Sequence, residues 1–211
     1  TLRAAVLVSG GGTNLQAIID GRKSGHLKIE LAVVLSDKPQ AYGLVRAQQA
    51  GIDSLCVLPA DHPDRESFDA AVLRQLDRYR PDLVLLAGFM RILTPAFVAR
   101  YSGRLLNIHP SLLPKYAGLH THRRALEAGE HWHGSTVHYV TEVLDGGPRI
   151  IQGRVPIQPD DDEDSLAQRV LAVEHRIYPE AIRLISDGRV RYADGAAWFD
   201  GTRLDEPLQW K

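Results

Sequence analysis

At 211 residues, the chain is long enough for one α/β domain to bury roughly 70% of the surface its unfolded form exposes, so no disulfide or metal staple is required. Hydrophobic residues make up 44% and charged residues 24%, with a formal net charge of -1. That balance excludes a basic nucleic-acid tail, a membrane-surface helix and a disordered charged segment, and an anionic ligand must be met by local groups. The single cysteine, Cys56, cannot form an internal bridge, and its apolar neighbours Leu55 and Val57 predict a short buried strand rather than a nucleophile's surroundings. The apolar run at 1–8 is too short for a signal peptide, and no stretch approaches the roughly 20 residues that span a bilayer, so a cytoplasmic protein is expected.

From the first residue to about 108, apolar runs alternate with segments of helical period. Strands are predicted near 3–8, 29–36, 54–58, 83–88 and 104–108, with helices near 14–24, 41–50, 65–79 and 95–101. Each strand is followed by a crossover long enough for a parallel neighbour, which defines a Rossmann-like half. After Pro110 come a short helix near 121–129 and two extended segments near 134–141 and 149–157. Gly146-Gly147-Pro148 lies between those segments and predicts a hairpin that extends the sheet. A long helix near 163–186 and a small ribbon around Asp194-Gly195 close the pattern. The fold class expected is α/β, with a mostly parallel twisted sheet, helices on both faces and an antiparallel extension in the C-terminal half. No repeat or low-complexity linker interrupts it, so one domain is expected over 1–211, with halves at 1–110 and 111–211 and no true boundary.

Ligands of open parallel sheets bind beyond the carboxyl ends of the strands. The loops at 9–14, 88–93 and 109–118 all leave that edge, and the topology predicts that they share a crevice. Ser9-Gly10-Gly11-Gly12-Thr13-Asn14 follows the first strand and opens a helix, which sets backbone N–H groups and the positive end of a helix dipole against an approaching anion. A dinucleotide fingerprint needs glycine at position 15, which is Leu15, and the Gly-Lys-Ser/Thr of a Walker loop is absent. The segment suits a mononucleotide phosphate, and equally a tight turn in which Thr13 or Asn14 caps the helix.

Asn107 and His109 stand two apart at the end of the fifth strand, on one side of it. An amide donor beside an imidazolium suits an oxyanion at a tetrahedral carbon. Asp145, in Leu144-Asp145-Gly146-Gly147-Pro148, is the candidate carboxylate to favour the charged ring and to position water. The same three residues also suit backbone satisfaction at a strand end and a plain turn. A triad of Ser111, His109 and Asp145 is the weaker alternative, because no nucleophile elbow surrounds Ser111.

Leu106-Asn107-Ile108-His109-Pro110-Ser111-Leu112-Leu113-Pro114 followed by Asp145-Gly146-Gly147-Pro148 resembles the folate-dependent formyltransferases. Ser9 to Asn14, Ala87-Gly88-Phe89-Met90-Arg91-Ile92-Leu93 and Gly118-Leu119-His120-Thr121-His122 extend the resemblance over nearly the whole chain, towards the branch that acts on glycinamide ribonucleotide. The resemblance implies transfer of a formyl group from 10-formyltetrahydrofolate, as co-substrate, to the amine of that nucleotide in purine biosynthesis. By the same resemblance, Gly12, Thr13 and Asn14 hold the substrate phosphate and Glu174 contacts its ribose or glycinamide part. A folate pocket is implied at Arg65, at Met90, Arg91, Ile92 and Leu93, and at Thr141, Val143 and Asp145, with Asn107 facing the formyl group. Small molecules would be the only partners, with no nucleic acid and no membrane, for a monomer or homodimer. The chain departs from the family pattern at Gly11, where Asn is common, at Ala117, where Pro is common, and at Arg149, where an aliphatic residue is usual. Arg149 leaves open whether its charge meets solvent or the folate tail.

Methionyl-tRNA formyltransferase and formyltetrahydrofolate hydrolase share the Asn-His-Asp chemistry, but each would bring an additional domain. A non-catalytic nucleotide-sensing module is a rival of another class. His120-x-His122 and His131-x-His133 have the spacing of shared metal ligands, yet no thiolate or acidic partner lies near them in sequence, and no metal is expected.

Overall fold

The computed structural model describes residues 1–211 as two compact units, Thr1–Leu106 and Asn107–Lys211. The first contains β1 (Leu2–Val8), α1 (Thr13–Lys23), β2 (Ile29–Ser36), α2 (Tyr42–Gln49), β3 (Ser54–Cys56), α3 (Arg65–Tyr79), β4 (Leu83–Leu86) and α4 (Pro95–Arg100). Its strands lie in the order β4-β1-β2-β3 and pair in parallel throughout. Ala4, Ala5, Val6, Leu7 and Val8 are all fully buried, as a central strand covered on both faces must be. The helices begin where local chemistry starts them: Asp64 accepts from Ser67 N at 2.7 Å ahead of α3, and Thr94, followed by Pro95, accepts from Phe97 N at 3.3 Å ahead of α4. A side-chain acceptor there satisfies one of the helix's orphan donors.

One expectation fails. Cys56 is exposed rather than buried. Its strand has three residues and a single neighbour, at the edge of the sheet, so the apolar run at 54–58 lacks cover on one side.

Strand β5 (Leu105–His109) begins in the first unit and ends in the second, which continues with α5 (Thr121–Glu127), β6 (Trp132–Tyr139), β7 (Arg149–Pro156), α6 (Glu163–Ser186), β8 (Val190–Ala193), β9 (Ala196–Phe199), β10 (Thr202–Arg203) and β11 (Leu208–Gln209). The predicted hairpin is present: β6 and β7 pair antiparallel from Trp132↔Pro156 to His138↔Arg149. Gly147 is required at its closed end, where Tyr139 N donates to Pro148 O at 2.9 Å. A Cβ on Gly147 would fall 1.8 Å from Tyr139 O. The ribbon of β8 and β9 also forms, turning through Asp194 and Gly195 at φ 52° and 69°, the positive pair that a two-residue hairpin demands. The two-residue strands β10 and β11 carry too little pattern to be read from sequence. β11 joins β7 in parallel, and Gln209 Nε2 donates to Gln152 Oε1 at 3.2 Å.

Helix α6 starts at a capping box in which Asp162 accepts from Ser165 N at 2.8 Å and Ser165 Oγ accepts from Asp162 N at 3.1 Å. Leu166, Val170, Glu174, Ile177 and Ala181 form its buried stripe, recurring at three- and four-residue steps. Leu166 and Val170 pack with Val155 of β7, each apolar side chain contributing roughly 1.5–3 kcal/mol. Pro179 lies inside the helix and removes one ladder donor, but the buried residues Ile177, Tyr178 and Ile182 on either side keep the helix continuous. No helix is long and apolar enough to cross a membrane.

Candidate active site

Of the three residues singled out in the second unit, His109 and Asp145 meet. His109 ends β5 and turns Nδ1 towards Asp145 Oδ1 at 3.6 Å, with both side chains 8% exposed. That distance is an ion-pair separation, too long for a direct hydrogen bond and within reach of a bridging water. The other ring nitrogen, Nε2, meets Tyr116 O at 2.9 Å. Both nitrogens thus face oxygen acceptors, and a doubly protonated ring finds a partner for each N–H. Asp145 is fixed in turn: its Oδ2 accepts from Gly118 N at 2.9 Å, and its own backbone sits at φ 52°. Tyr116 and His120 also have positive φ, 55° and 56°. Left-handed backbone at Tyr116 and Asp145, the two residues that meet the His109 ring, is the kind of local strain that functional loops retain.

Asn107, on the same strand, places Nδ2 3.4 Å from His138 Nε2. His138 Nδ1 lies 2.9 Å from Tyr139 O, so Nδ1 carries the proton and Nε2 is left to accept from the Asn107 amide. Burial pushes the His138 imidazole below its usual range, with the nearby Asp145 carboxylate acting in the opposite direction. The neutral ring orients Asn107, leaving the second amide proton to donate elsewhere. His138 was missed in the sequence reading; its place two residues after Thr136 on the buried face of a predicted strand was the available signal. Ser111 is fully buried and donates from Oγ to Lys115 O at 2.6 Å, which removes it as a nucleophile. Ser135 Oγ donates to His109 O at 2.8 Å and steadies the strand end.

The two His-x-His pairs do not act as pairs. His122 Nδ1 instead faces His133 Nε2 at 3.1 Å, and burial, followed by the charge of His122, pushes His133 down to about 4. A histidine that the fold keeps neutral is protonated more readily in the unfolded chain, so its contribution is complete above pH ~6.5 and is lost as pH falls towards 4. Melting temperatures measured across that interval should drop by the equivalent of roughly 3 kcal/mol, and His133→Gln should flatten the profile.

Arg149, whose direction the sequence left open, donates from Nη1 to Leu113 O at 2.8 Å, and its Nη2 lies 3.5 Å from Glu206. Gly11 O accepts from Arg46 Nε at 2.6 Å, and Ala117 O accepts from Arg124 Nη1 at 2.7 Å. Of the three departures only Arg149 acts through its side chain; at Gly11 and Ala117 the bonded atom is the backbone carbonyl, and nothing in the structure explains the change of side chain.

In the first unit the glycine-rich loop opens α1 without any side-chain cap; Gly12 itself is the N-cap, at φ 71°. Neither Thr13 nor Asn14 caps the helix. The carbonyls of Gly10 and Gly11 are taken by Gly43 N at 3.0 Å and by Arg46 Nε, both on α2. Arg46 also donates from Nη1 to Gln16 Oε1 at 3.2 Å. A Cβ on Gly12 would lie 2.7 Å from Gly43 Cα, backbone against backbone. Gly12→Ala is therefore expected to raise the Michaelis constant of a phosphate-bearing substrate at least tenfold while the chain stays folded, as titration of initial rates would show.

The loop at 88–93 does meet the glycine-rich loop, through Ser9 N to Gly88 O at 3.1 Å and Met90 N to Ser9 Oγ at 2.9 Å. Met90 is 71% and Ile92 59% exposed. Arg91 stacks 4.6 Å above the Phe68 ring, and Leu93 is half-buried. Arg65 is exposed at the first position of α3. In the second unit Val143 and Leu144 are exposed and Thr141 half-buried, with Thr141 Oγ1 accepting from Val143 N at 3.3 Å. Met90, Ile92, Val143 and Leu144 therefore stand outside the core. Glu174 belongs to the buried stripe of α6, 8% exposed, and is not a solvated helix glutamate.

A parallel α/β scaffold with an uncapped glycine-rich turn, and a histidine paired with a carboxylate at a strand end, suit a group-transfer enzyme. The family model described as formyl transferase matches residues 2–182, and the chain belongs to that family. It is 53% identical over 203 residues, 96% of either chain, to the phosphoribosylglycinamide formyltransferase of Escherichia coli. The solved structure of the same-named enzyme from Coxiella burnetii superposes with a TM-score of 0.95 at 49% identity, covering 100% of this chain and 99% of that one. Glycinamide ribonucleotide transformylase 1 of Symbiobacterium toebii gives a TM-score of 0.91 at 48% identity over 94% of both chains. These likenesses bear out the expected Rossmann-like fold class.

Proposed function

We propose that the chain transfers a formyl group from 10-formyltetrahydrofolate to the amino group of glycinamide ribonucleotide, giving formylglycinamide ribonucleotide and tetrahydrofolate. The observation that carries this reading is His109, held between the Asp145 carboxylate and the Tyr116 carbonyl on the same strand as Asn107. Its particular substrates are supported by the names of the relatives at 48–53% identity. The neutral amine attacks the formyl carbon, and the oxyanion that forms is met by the Asn107 amide and by Nε2–H of a protonated His109. Tyr116 O occupies that N–H in the structure, so a formyl oxygen must displace or share it. Asp145 balances the imidazolium, and water relays the proton from amine to leaving nitrogen. No covalent enzyme intermediate is needed, and much of the acceleration, roughly 7–11 kcal/mol at best, comes from holding two substrates in line.

Gly12, Thr13 and Asn14 hold the substrate phosphate, and Glu174 its ribose or glycinamide part. The folate is held by Arg65, by Met90, Arg91, Ile92 and Leu93, and by Thr141, Val143 and Asp145, where exposed apolar side chains suit a flat heterocycle. The partners are small molecules, and the chemistry requires no metal. The test is formyl transfer by the purified chain with and without glycinamide ribonucleotide. Product formed only with the acceptor supports the reading; formate released at the same rate without it indicates a hydrolase, and no turnover indicates a sensing module.

A further inference from the structure

We propose that Ser9 and Asp37 are positioning residues that lock the two ligand loops of the first unit, 9–14 and 88–93, into one piece, so that neither loop can shift without the other. The inference rests on the proposed reading of those loops as the phosphate and folate seats. Ser9 follows β1, Asp37 follows β2, and the 88–93 loop follows β4, the three neighbouring strands of the order β4-β1-β2. Ser9 therefore stands at the carboxyl end of the middle strand with a loop on each side.

Every polar atom that Ser9 offers towards these loops is engaged. Its N–H donates to Gly88 O at 3.1 Å, its hydroxyl donates to Asp37 Oδ1 at 2.7 Å, and its Oγ accepts from Met90 N at 2.9 Å. Ser9 and Asp37 are both 4% exposed. The direction of the hydroxyl follows from the carboxylate: an ionised Asp37 can only accept, so the Ser9 proton points at it and a lone pair is turned to Met90 N–H. Asp37 Oδ2 lies 3.9 Å from Arg91 Nη1, so the same carboxylate reaches the folate loop directly and through Ser9. The Met90 side chain is exposed while its amide is fixed. This combination presents an apolar side chain to a ligand on a backbone that does not yield.

Ser9→Ala deletes the shared hydroxyl and leaves a buried carboxylate and a backbone N–H without it, a change worth about a tenfold factor. Steady-state rates with both substrates varied should show the Michaelis constants for folate and for nucleotide both raised about tenfold, with kcat within about threefold of the parent. Asp37→Ala should do the same, whereas Asp37→Asn, which keeps an acceptor for the hydroxyl, should stay within about threefold for both substrates. A brace with a purely structural role would lower the active fraction and leave both Michaelis constants alone. Folded Ser9→Ala with both constants unchanged, or with only one of them raised, overturns the proposal. Independently of turnover and of any variant, the Met90 amide of the unaltered chain should resist hydrogen exchange, and exchange at the rate of a solvated loop amide overturns the brace. Failure of the unaltered chain to transfer formyl groups would sink the functional reading alone, because the exchange measurement does not depend on it.

Discussion

His109→Ala is expected to lower kcat by about a thousandfold, with the Michaelis constants for both substrates changed far less. Loss of one well-placed oxyanion donor typically costs 10²–10³ in turnover, or roughly 3–4 kcal/mol. Alanine here removes the donor and the positive charge together. It also leaves Asp145, whose side chain is 8% exposed, without the cation it faces, so recovery by a neighbouring group is not expected. The backbone should tolerate the change: Ser135 Oγ holds the His109 carbonyl, not its ring. Pre-steady-state measurement of the chemical step decides the matter. A variant that keeps its turnover and loses only substrate affinity would assign His109 to binding and remove it from the oxyanion role.

Asp145→Asn should cost about a hundredfold in kcat and no more than threefold in the Michaelis constant of the phosphate substrate, since the carboxylate acts on charge in the transition state. Asparagine is well suited as a probe. It accepts the left-handed conformation at φ 52° almost as readily as aspartate, and its side-chain oxygen can still accept from Gly118 N. What disappears is the negative charge 3.6 Å from His109 Nδ1. Circular dichroism and melting temperature should be near those of the parent, and turnover should fall by no more than in His109→Ala. Unchanged turnover combined with weakened nucleotide binding would refute the assignment.

Much of the scaffold was legible because its signals are local. Helices near 65–79, 95–101 and 163–186 showed in a period of a few residues, and Gly146-Gly147-Pro148 closes a hairpin whose ends are near in sequence. Asn107 and His109 were legible for the same reason, since period two puts them on one side of a strand. The exposure of the Met90 loop was not legible from its residues alone, because an apolar run is more often core, and what the fold leaves uncovered is not written in it. Cys56 failed in the opposite direction, through the edge position of its strand. His138 and Arg46 went unnoticed because each acts on a residue more than thirty positions away.

By itself, the sequence determined the alternation of strands and helices, the turn positions and the chemical character of the reactive groups, all of which follow from backbone preferences and side-chain periodicity over a few residues. Only the tertiary structure decided that His138 aims Asn107, that His122 pairs with His133, that Arg149 turns to Leu113 and that one serine joins two loops. Those pairings depend on distances across strands and between loops, which are set by packing the whole unit and carry no signature in local order.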